Sequence, residues 1–588
     1  MTVLSLKMEA DNEEQKWREE RLSHEIDEYA EVPRYVKKPL IEFLLRNEIS
    51  EVEKMDYVYR KAYEKYLNGQ AKKQTSLYLN AYDRVKQGWI QQQMKTLQGR
   101  RRCQWCYKNE VLFIPYHSDR QVREAFDTVR HKECVVWDFS IPCSEILKRQ
   151  IFLVLNKIIA LGGNSYYRGK RLKGLKLLYQ YCYRNEIIDI EKMELNQVTS
   201  FYKYITEITN SEKETMNLRG ILGYSRSEIF INGTEPHWNA NVWYLERFDF
   251  QRHRKDESRM TRTLSFLDIR QRENRELFQM YMRYELGISN QSLSVVRAKF
   301  FCIRKYLSII DREELSVKNL PAERTRIYLE ELSKQELEAS TFNIMLAHIA
   351  HFYYFLRAHQ YISAVPFDPD YYMKKQVAIH HNRSVAFEIC QEILRKLNCF
   401  PEHLRIMYLH LWAVGLRISE VCVLKSDSYF RRGENAWIRI YQVKMKAYKS
   451  IPIPDMLYQF VQVYIIRNAI GKGEYLFRDS QGNAFKYGTF VKQMKNCCKE
   501  NGIENGNYIF KAHDYRHTVA TMFYENGVSI QSIRDYLGHE TEEMTEQYID
   551  HIPQMIAWKN EEFFGKKENI LWTRRRIDGK REHEDILQ

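Results

Sequence analysis

Apolar residues recur every three to four positions along most of the chain, as in GLKLLYQYCYRNEIIDI and VRAKFFCIRKYLSII. That is the period of an amphipathic helix, whose apolar stripe must be buried against another element. Residues that would interrupt it are scarce, with 23 Gly and 12 Pro in 588 residues. These limits predict a mainly α, multidomain fold, with strands confined to short stretches of strict alternation. At about 150 residues per domain, the length suggests three or four domains.

Charge narrows the partners. Lys and Arg number 91 against 77 Asp and Glu, a formal net charge of +14. Such an excess attracts polyanions at a distance and speeds encounter with them, so DNA, RNA and anionic membrane surfaces all qualify. A solvated basic surface explains the same number. Eleven cysteines, an odd count spread over a long chain, fit small core residues in a reduced cytoplasmic compartment. The start MTVLSLKMEADNEEQK lacks the basic stretch and apolar core of a signal peptide. No apolar run of about 18 residues predicts a membrane span.

The chain reads as six segments. Residues 1–143 form an N-terminal helical region with a cysteine-containing stretch. Within it, Cys103, Cys106, Cys134 and Cys143 make a candidate zinc site opened by a CxxC. The second pair is too widely spaced for a regular zinc ribbon, and buried thiols without a metal fit the same residues. Residues 144–235 read as a helical bundle, and 270–372 repeat its texture, as a degenerate internal repeat or as coincidence between amphipathic helix pairs. Residues 236–269, rich in Arg and polar side chains, read as a basic linker able to lie along a phosphate backbone or simply to be solvated. A domain over 385–565 and a basic, flexible tail over 566–588 complete the chain.

Residues 385–565 carry the chemistry. The helical pattern of EHLRIMYLHLWAV breaks at Gly415, and Arg417 opens a new helix with Glu420 three residues on, where a carboxylate can orient the guanidinium. AWIRIYQVKMKAYKSIPIP alternates like two or three short strands, with Lys444, Lys446 and Lys449 in the expected turn. HDYRHT then brings His513 and Arg516 three residues apart, on one helical face. Ser529 is the expected N-cap and Gly538 the expected stop of the helix before His539, and Tyr548 follows nine residues after His539. Singly, each has a dull explanation, since HxxR arises by chance and the chain holds 41 tyrosines. The ordered set carries the signal.

The strings GLRISEVCVL, KMKAYKSIPIP, HDYRHT, YLGHE and TEQYID together resemble the tyrosine recombinase, or phage integrase, family over about residues 385–560. Residues 270–372 look like its helical, SAM-like core-binding domain, which would precede a mixed α+β catalytic domain with a small antiparallel β unit. The long N-terminal half and the TRTLSF region look similar to the large transposases of this family carried by resistance transposons.

The resemblance implies an enzyme that breaks and rejoins DNA without metal, ATP or other cofactor. Tyr548 would attack the scissile phosphate and form a 3′-phosphotyrosine that conserves the bond energy. Arg417 and Arg516 would clamp the non-bridging oxygens, a task suited to a permanently charged planar fork. His513 would assist proton removal and His539 would donate a hydrogen bond. Lys444, eight residues before Pro452, would be the general acid, with Lys446 as its rival. Glu420 would support Arg417. The partners implied are double-stranded DNA and further recombinase subunits, as a homotetramer or a hetero-complex, with no membrane and with residence in the cytoplasm at the nucleoid. Two other classes remain open: a non-cleaving accessory DNA-binding protein of the same fold, and a type IB topoisomerase.

Overall fold

A computed structural model of the protein describes residues 3–108, 111–126, 132–161, 165–209, 211–376, 383–442 and 445–549. By internal contacts the chain divides into two compact units. The first comprises Met1–Phe248, Thr263–Gln279 and Asp311–Glu314; the second comprises Asp249–Arg262, Met280–Ile310 and Leu315–Gln588.

Helices α1 (Val3–Tyr29), α2 (Arg34–Arg46), α3 (Tyr57–Gly69), α4 (Thr75–Gln93) and α5 (Leu97–Arg102) open the first unit. They enclose a core that includes Leu22, Leu40, Leu44, Tyr63, Tyr82 and Val85. The carboxylate of Asp56 accepts from the Tyr59 N–H and caps α3. Buried Arg60 is neutralised by a two-pronged bond to Asp83, at 2.6 and 2.8 Å.

A second core begins at β1 (Val111–Phe113), which pairs antiparallel with β2 (Val136–Asp138) around α6 (Arg120–Phe126). Leu112 and Trp137 face each other there and join the core of the helices that follow. These are α7 (Glu145–Ala160), α8 (Ser165–Arg184), α9 (Leu195–Ile208) and α10 (Glu212–Asn232). The ribbon's apolar side chains thus pack with the core of α7–α10.

The same plan follows again. Strand β3 (Val242–Tyr244) pairs antiparallel with β4 (Thr263–Ser265), and then come α11 (Arg272–Gly287), α12 (Leu293–Ile310), α13 (Ala322–Lys334) and α14 (Ala339–Ala358). Residues 236–269, expected as a basic linker, are thus structured at both ends, where Trp243, Leu264 and Phe266 are fully buried. Residues 144–235 hold the four helices α7–α10 and residues 270–372 hold α11–α14, and some of their buried positions fall at matching places. Ile151, Val154 and Leu155 are buried in α7, and Phe278, Tyr281 and Met282, each 127 residues on, are buried in α11.

The remaining elements are α15 (Pro369–Tyr372), α16 (Phe387–Lys396), α17 (Glu402–Val414), α18 (Ile418–Cys422), β5 (Tyr429–Arg432), β6 (Asn435–Gln442) and β7 (Ala447–Ile453). Helices α19 (Asp455–Arg467), α20 (Tyr487–Glu500), α21 (Asp514–Glu525), α22 (Ile530–Leu537) and α23 (Glu542–Glu546) end the described chain. The sheet is antiparallel, in the order β5-β6-β7. Alternation in β6 turns Ala436, Ile438 and Ile440 into a core shared with Leu404, Leu411, Val421 and Phe490. Among the described residues no helix is long and apolar enough to cross a membrane.

Of the two readings of the four cysteines, a zinc site or buried thiols, the packing around Cys103, Cys134 and Cys143 favours the second. Cys103 packs against the first core, while Cys134 and Cys143 pack against the second. Cys143 lies 3.6 Å from the Tyr179 hydroxyl, and among the described residues no three His, Cys, Asp or Glu side chains are placed to hold a metal. Cys103, Cys134 and Cys143 serve packing, and the CxxC spacing alone cannot bring the second pair to the first.

Candidate functional site

Two helix ends build the floor of the site. Helix α17 stops at Gly415, whose φ of +67° suits a residue without a Cβ. Helix α22 starts at Ser529, whose hydroxyl accepts from the Ser532 N–H, and stops at Gly538 with φ +68°. The carbonyls exposed by these stops are partly negative, as at any helix C-terminus. Arg516 donates to both ends, from Nη1 to the Gly415 carbonyl at 2.9 Å and from Nη2 to the Leu537 carbonyl at 2.6 Å. Arg516 is fully buried, and burial with the neighbouring Arg417 charge lowers its pKa to about 10.

Arg417 precedes α18 and uses it. Its backbone N–H donates to Oε2 of Glu420 at 2.9 Å and its Nη1 to Oε1 at 3.1 Å. Glu420 is only 4% exposed, so this is no solvated surface pair. Burial raises the carboxyl's pKa, but the charges of Lys449, Arg516 and Arg417 and a bond from Gln442 outweigh it and hold the group below its ordinary value. Gln442 donates from Nε2 to Glu420 at 2.9 Å and to the Leu537 carbonyl at 3.4 Å, linking the strand to both helix ends.

The lysines part company. Lys444 lies outside the described residues. Lys446 is exposed in the turn at φ +53°. Lys449, expected in the turn, belongs to β7 instead, opposite Ile440. Its ammonium donates to the carbonyls of Tyr536 at 3.2 Å and Leu537 at 3.0 Å. Burial lowers its pKa to about 8, against the pull of Glu420.

Tyr548 closes the site. Its hydroxyl lies 3.0 Å from Nε2 of His513. His513 is the N-cap of α21, with helical backbone at φ −74° and ψ −26°, and Arg516 sits three residues on in the first turn. The Tyr548 ring stacks on His517 with centroids 4.4 Å apart at 16°, and lies 4.5 Å from the His539 ring. The Arg516 guanidinium is 5.7 Å from its centre. His539 is buried, and Thr545 Oγ1 lies 3.0 Å from its Nδ1. Burial and the surrounding cations push His539 down to about 2 and His513 down to about 4. Both rings are neutral near pH 7.

Arg417, Glu420, His513, Arg516, His539 and Tyr548 thus lie in one site, with Lys449 at its edge. His517 and Gln442 went unnamed at the sequence level. His517 stands beside Arg516 and one turn from His513, which was its only signal. Nothing in the local sequence separates Gln442 from any other strand residue.

Residues 384–555 match the phage integrase family. This part of the chain is similar to a phage integrase domain. Transposase B of transposon Tn554 from Staphylococcus aureus (strain Mu50 / ATCC 700699) is 23% identical over 347 residues, covering 57% of this chain and 54% of the relative. Tyrosine recombinase XerA of Pyrococcus furiosus is 32% identical over 145 residues, covering 24% of this chain and 49% of the relative. The chain spans about half the length of these curated relatives. Among solved structures, XerH recombinase bound to palindromic difH substrate is similar at 15% identity, covering 49% of this chain and 83% of that one, with a TM-score of 0.39.

Proposed function

We propose that the chain is a tyrosine recombinase or transposase that cuts and rejoins double-stranded DNA through a 3′-phosphotyrosine. The observation that carries this reading is the Tyr548 hydroxyl 3.0 Å from a neutral His513, within a site that also holds two arginines and a buried histidine. The neutral imidazole accepts the phenol proton as the oxygen attacks phosphorus. Arg417 and Arg516 balance the charge that builds on the non-bridging oxygens. Nε of Arg516 and Nε2 of His539 are buried without a hydrogen-bond partner among the described residues, and phosphate oxygens would give both an acceptor.

The 5′-oxygen leaves with a proton, which we assign to Lys444. Lys449 already donates to two carbonyls, and Glu420 acts through Arg417 rather than on the substrate. In this scheme side chains supply the nucleophile, the cations and the protons, and the reaction needs no cofactor. Residues 270–372 serve as the core-binding domain. Several subunits assemble on paired DNA sites in the cytoplasm, at the nucleoid, as a homotetramer or with partner recombinase subunits.

The test is incubation with duplex DNA from a cognate mobile-element end, nicked beside the cleavage point so that religation fails. A denaturation-resistant protein–DNA adduct that Tyr548→Phe abolishes is the expected result. A wild-type protein that binds this DNA without forming an adduct would overturn the enzymatic reading in favour of a non-cleaving accessory protein.

A further inference from the structure

The module that the function absorbs, β3 to α14, is a second copy of the module from β1 to α10. Each begins with a three-residue strand that pairs antiparallel with a second one, β1 with β2 in the first copy, where α6 lies between them, and β3 with β4 in the second, and each continues into four helices. The helices run 16, 20, 14 and 21 residues in the first copy and 16, 18, 13 and 20 in the second. Buried positions keep step through all four. Leu172 and Leu175 of α8 correspond to Phe300 and Ile303 of α12; Phe201 and Ile205 of α9 correspond to Tyr328 and Leu332 of α13; Leu222 and Ile229 of α10 correspond to Ile349 and Leu356 of α14. Chance pairing of amphipathic helices does not hold a spacing of 127 or 128 residues across four helices.

The second helix of each copy shares a further property. Helix α8 carries Arg168, Lys170, Arg171, Lys173, Lys176 and Arg184 and no acidic residue. Helix α12 carries Arg297, Lys299, Arg304 and Lys305, again with no acidic residue. Both set cations against exposed aromatic rings. In α8, Tyr166 and Tyr167 are 60% and 66% exposed, and the Lys170 ammonium lies 4.2 Å from the Tyr166 ring centre. In α12, Phe301 is 40% exposed, with Arg297 and Arg304 at 5.2 and 4.8 Å from its centre. The core takes Leu172, Leu175 and Tyr179; Arg171 and Lys173 are exposed, with Lys173 2.8 Å from the Glu214 carboxylate, while Lys176 donates to the Val136 carbonyl at 3.2 Å.

We infer that residues 111–232 form a second DNA-binding module, which lays α8 along the phosphates of duplex DNA as the later copy lays α12. This rests on the recombinase reading only in assigning DNA contact to the later copy. A basic helix with solvent-facing aromatic rings suits a sugar–phosphate backbone, to which cations contribute affinity and aromatic rings contribute packing. One chain then engages DNA through two copies of one module, beyond the stretch held for cleavage.

The test uses the full-length chain and a fluorescein-labelled duplex of arbitrary sequence, about 60 base pairs long, titrated between about 50 and 200 mM salt. Lys170→Ala/Arg171→Ala/Lys173→Ala should weaken binding on the order of tenfold or more. It should also flatten the plot of log affinity against log salt by about 0.9 for each phosphate that is no longer neutralised, or about 2.7 for three. Lys170→Arg/Lys173→Arg should restore both, and circular dichroism melting should show each variant folded. An unchanged affinity and slope in the triple variant, with Arg297→Ala/Arg304→Ala still weakened, would sink the second module and leave the recombinase reading intact. A loss seen only with RNA or with anionic vesicles overturns the inference equally. The adduct assay with Tyr548→Phe is independent of this outcome.

Discussion

Oη of Tyr548 and Nε2 of His513 are 3.0 Å apart, in a contact that joins the last described turn of the chain to the residue that opens α21. His513 is held neutral by burial and by nearby positive charge, with its pKa near 4. His513→Ala should therefore slow adduct formation by roughly 10² to 10⁴ while leaving DNA affinity nearly unchanged. The wild-type cleavage rate should show no step near pH 6.5 arising from His513. Gel quantification of adduct from pH 5 to 8, at about unit intervals, checks both points; a rate that halves near pH 6.5 and loses that step in His513→Ala would contradict the neutral assignment.

Gly538 leaves no room for a side chain. A Cβ there would lie 2.4 Å from Oε1 of Gln442, at a φ of +68° that side chains disfavour. Gln442 cannot swing away without losing Glu420 and the Leu537 carbonyl. Gly538→Ala should cost about 1–3 kcal/mol of stability and disturb the carbonyl that positions Arg516. Thermal melting and the adduct assay together measure this, and a melting temperature equal to wild type would disprove the steric account.

Glu420→Gln would remove the carboxylate bonded to Arg417 and leave Arg516 and Lys449 less balanced. Breaking a buried ion pair in this way costs about 3–5 kcal/mol when the partner stays buried. Because the Arg417 side chain keeps 13% exposure to solvent, the loss should fall nearer about 1–3 kcal/mol. Cleavage should fall more than DNA binding, since Arg417 loses its orientation but keeps its charge. Equal losses in both would place Glu420 outside the positioning role.

Acid should weaken the domain through His539. Its folded pKa, near 2, lies below the unfolded value of about 6.5, so the unfolded chain binds the proton more tightly. Stability from this residue is complete above pH 6.5 and is lost as pH falls toward 2. At pH 4.5 the loss is on the order of 2–3 kcal/mol, at about 1.4 kcal/mol per pH unit. Denaturant unfolding of wild type and His539→Gln at pH 7 and pH 4.5 tests it: the variant should lose less stability on acidification.

The lysine assignment can be decided by the leaving group. A substrate with sulfur in place of the 5′-bridging oxygen expels a thiolate, which needs no proton donor. Lys444→Ala should be defective on ordinary DNA and active on the sulfur substrate, whereas Lys449→Ala should be equally impaired on both because it loosens the end of α22. Rescue of Lys449→Ala, or failure to rescue Lys444→Ala, would reverse the assignment.

Much of this site is legible along the chain because its residues sit at structural punctuation. Gly415, Ser529 and Gly538 end or begin helices, and helix ends are written in local sequence by residues that satisfy orphan backbone groups or accept positive φ. Arg417 and Glu420 are adjacent through one short helix. Lys449 falls in the strand rather than the expected turn because alternation alone does not say where a hairpin reverses. The cysteines illustrate the reverse case, since their spacing suggests a ligand set that two separate cores keep apart.

By itself, then, the sequence determined the helical class, the helix stops, the hairpin and the order of reactive residues, because each is encoded by local period or by a residue's own backbone preference. Only the tertiary structure decided which of those residues meet. His517 under the Tyr548 ring, Gln442 between Glu420 and the Leu537 carbonyl, and Lys449 on the end of α22 are contacts across tens of residues. Such contacts depend on how buried faces pack, and packing is a property of all the elements at once.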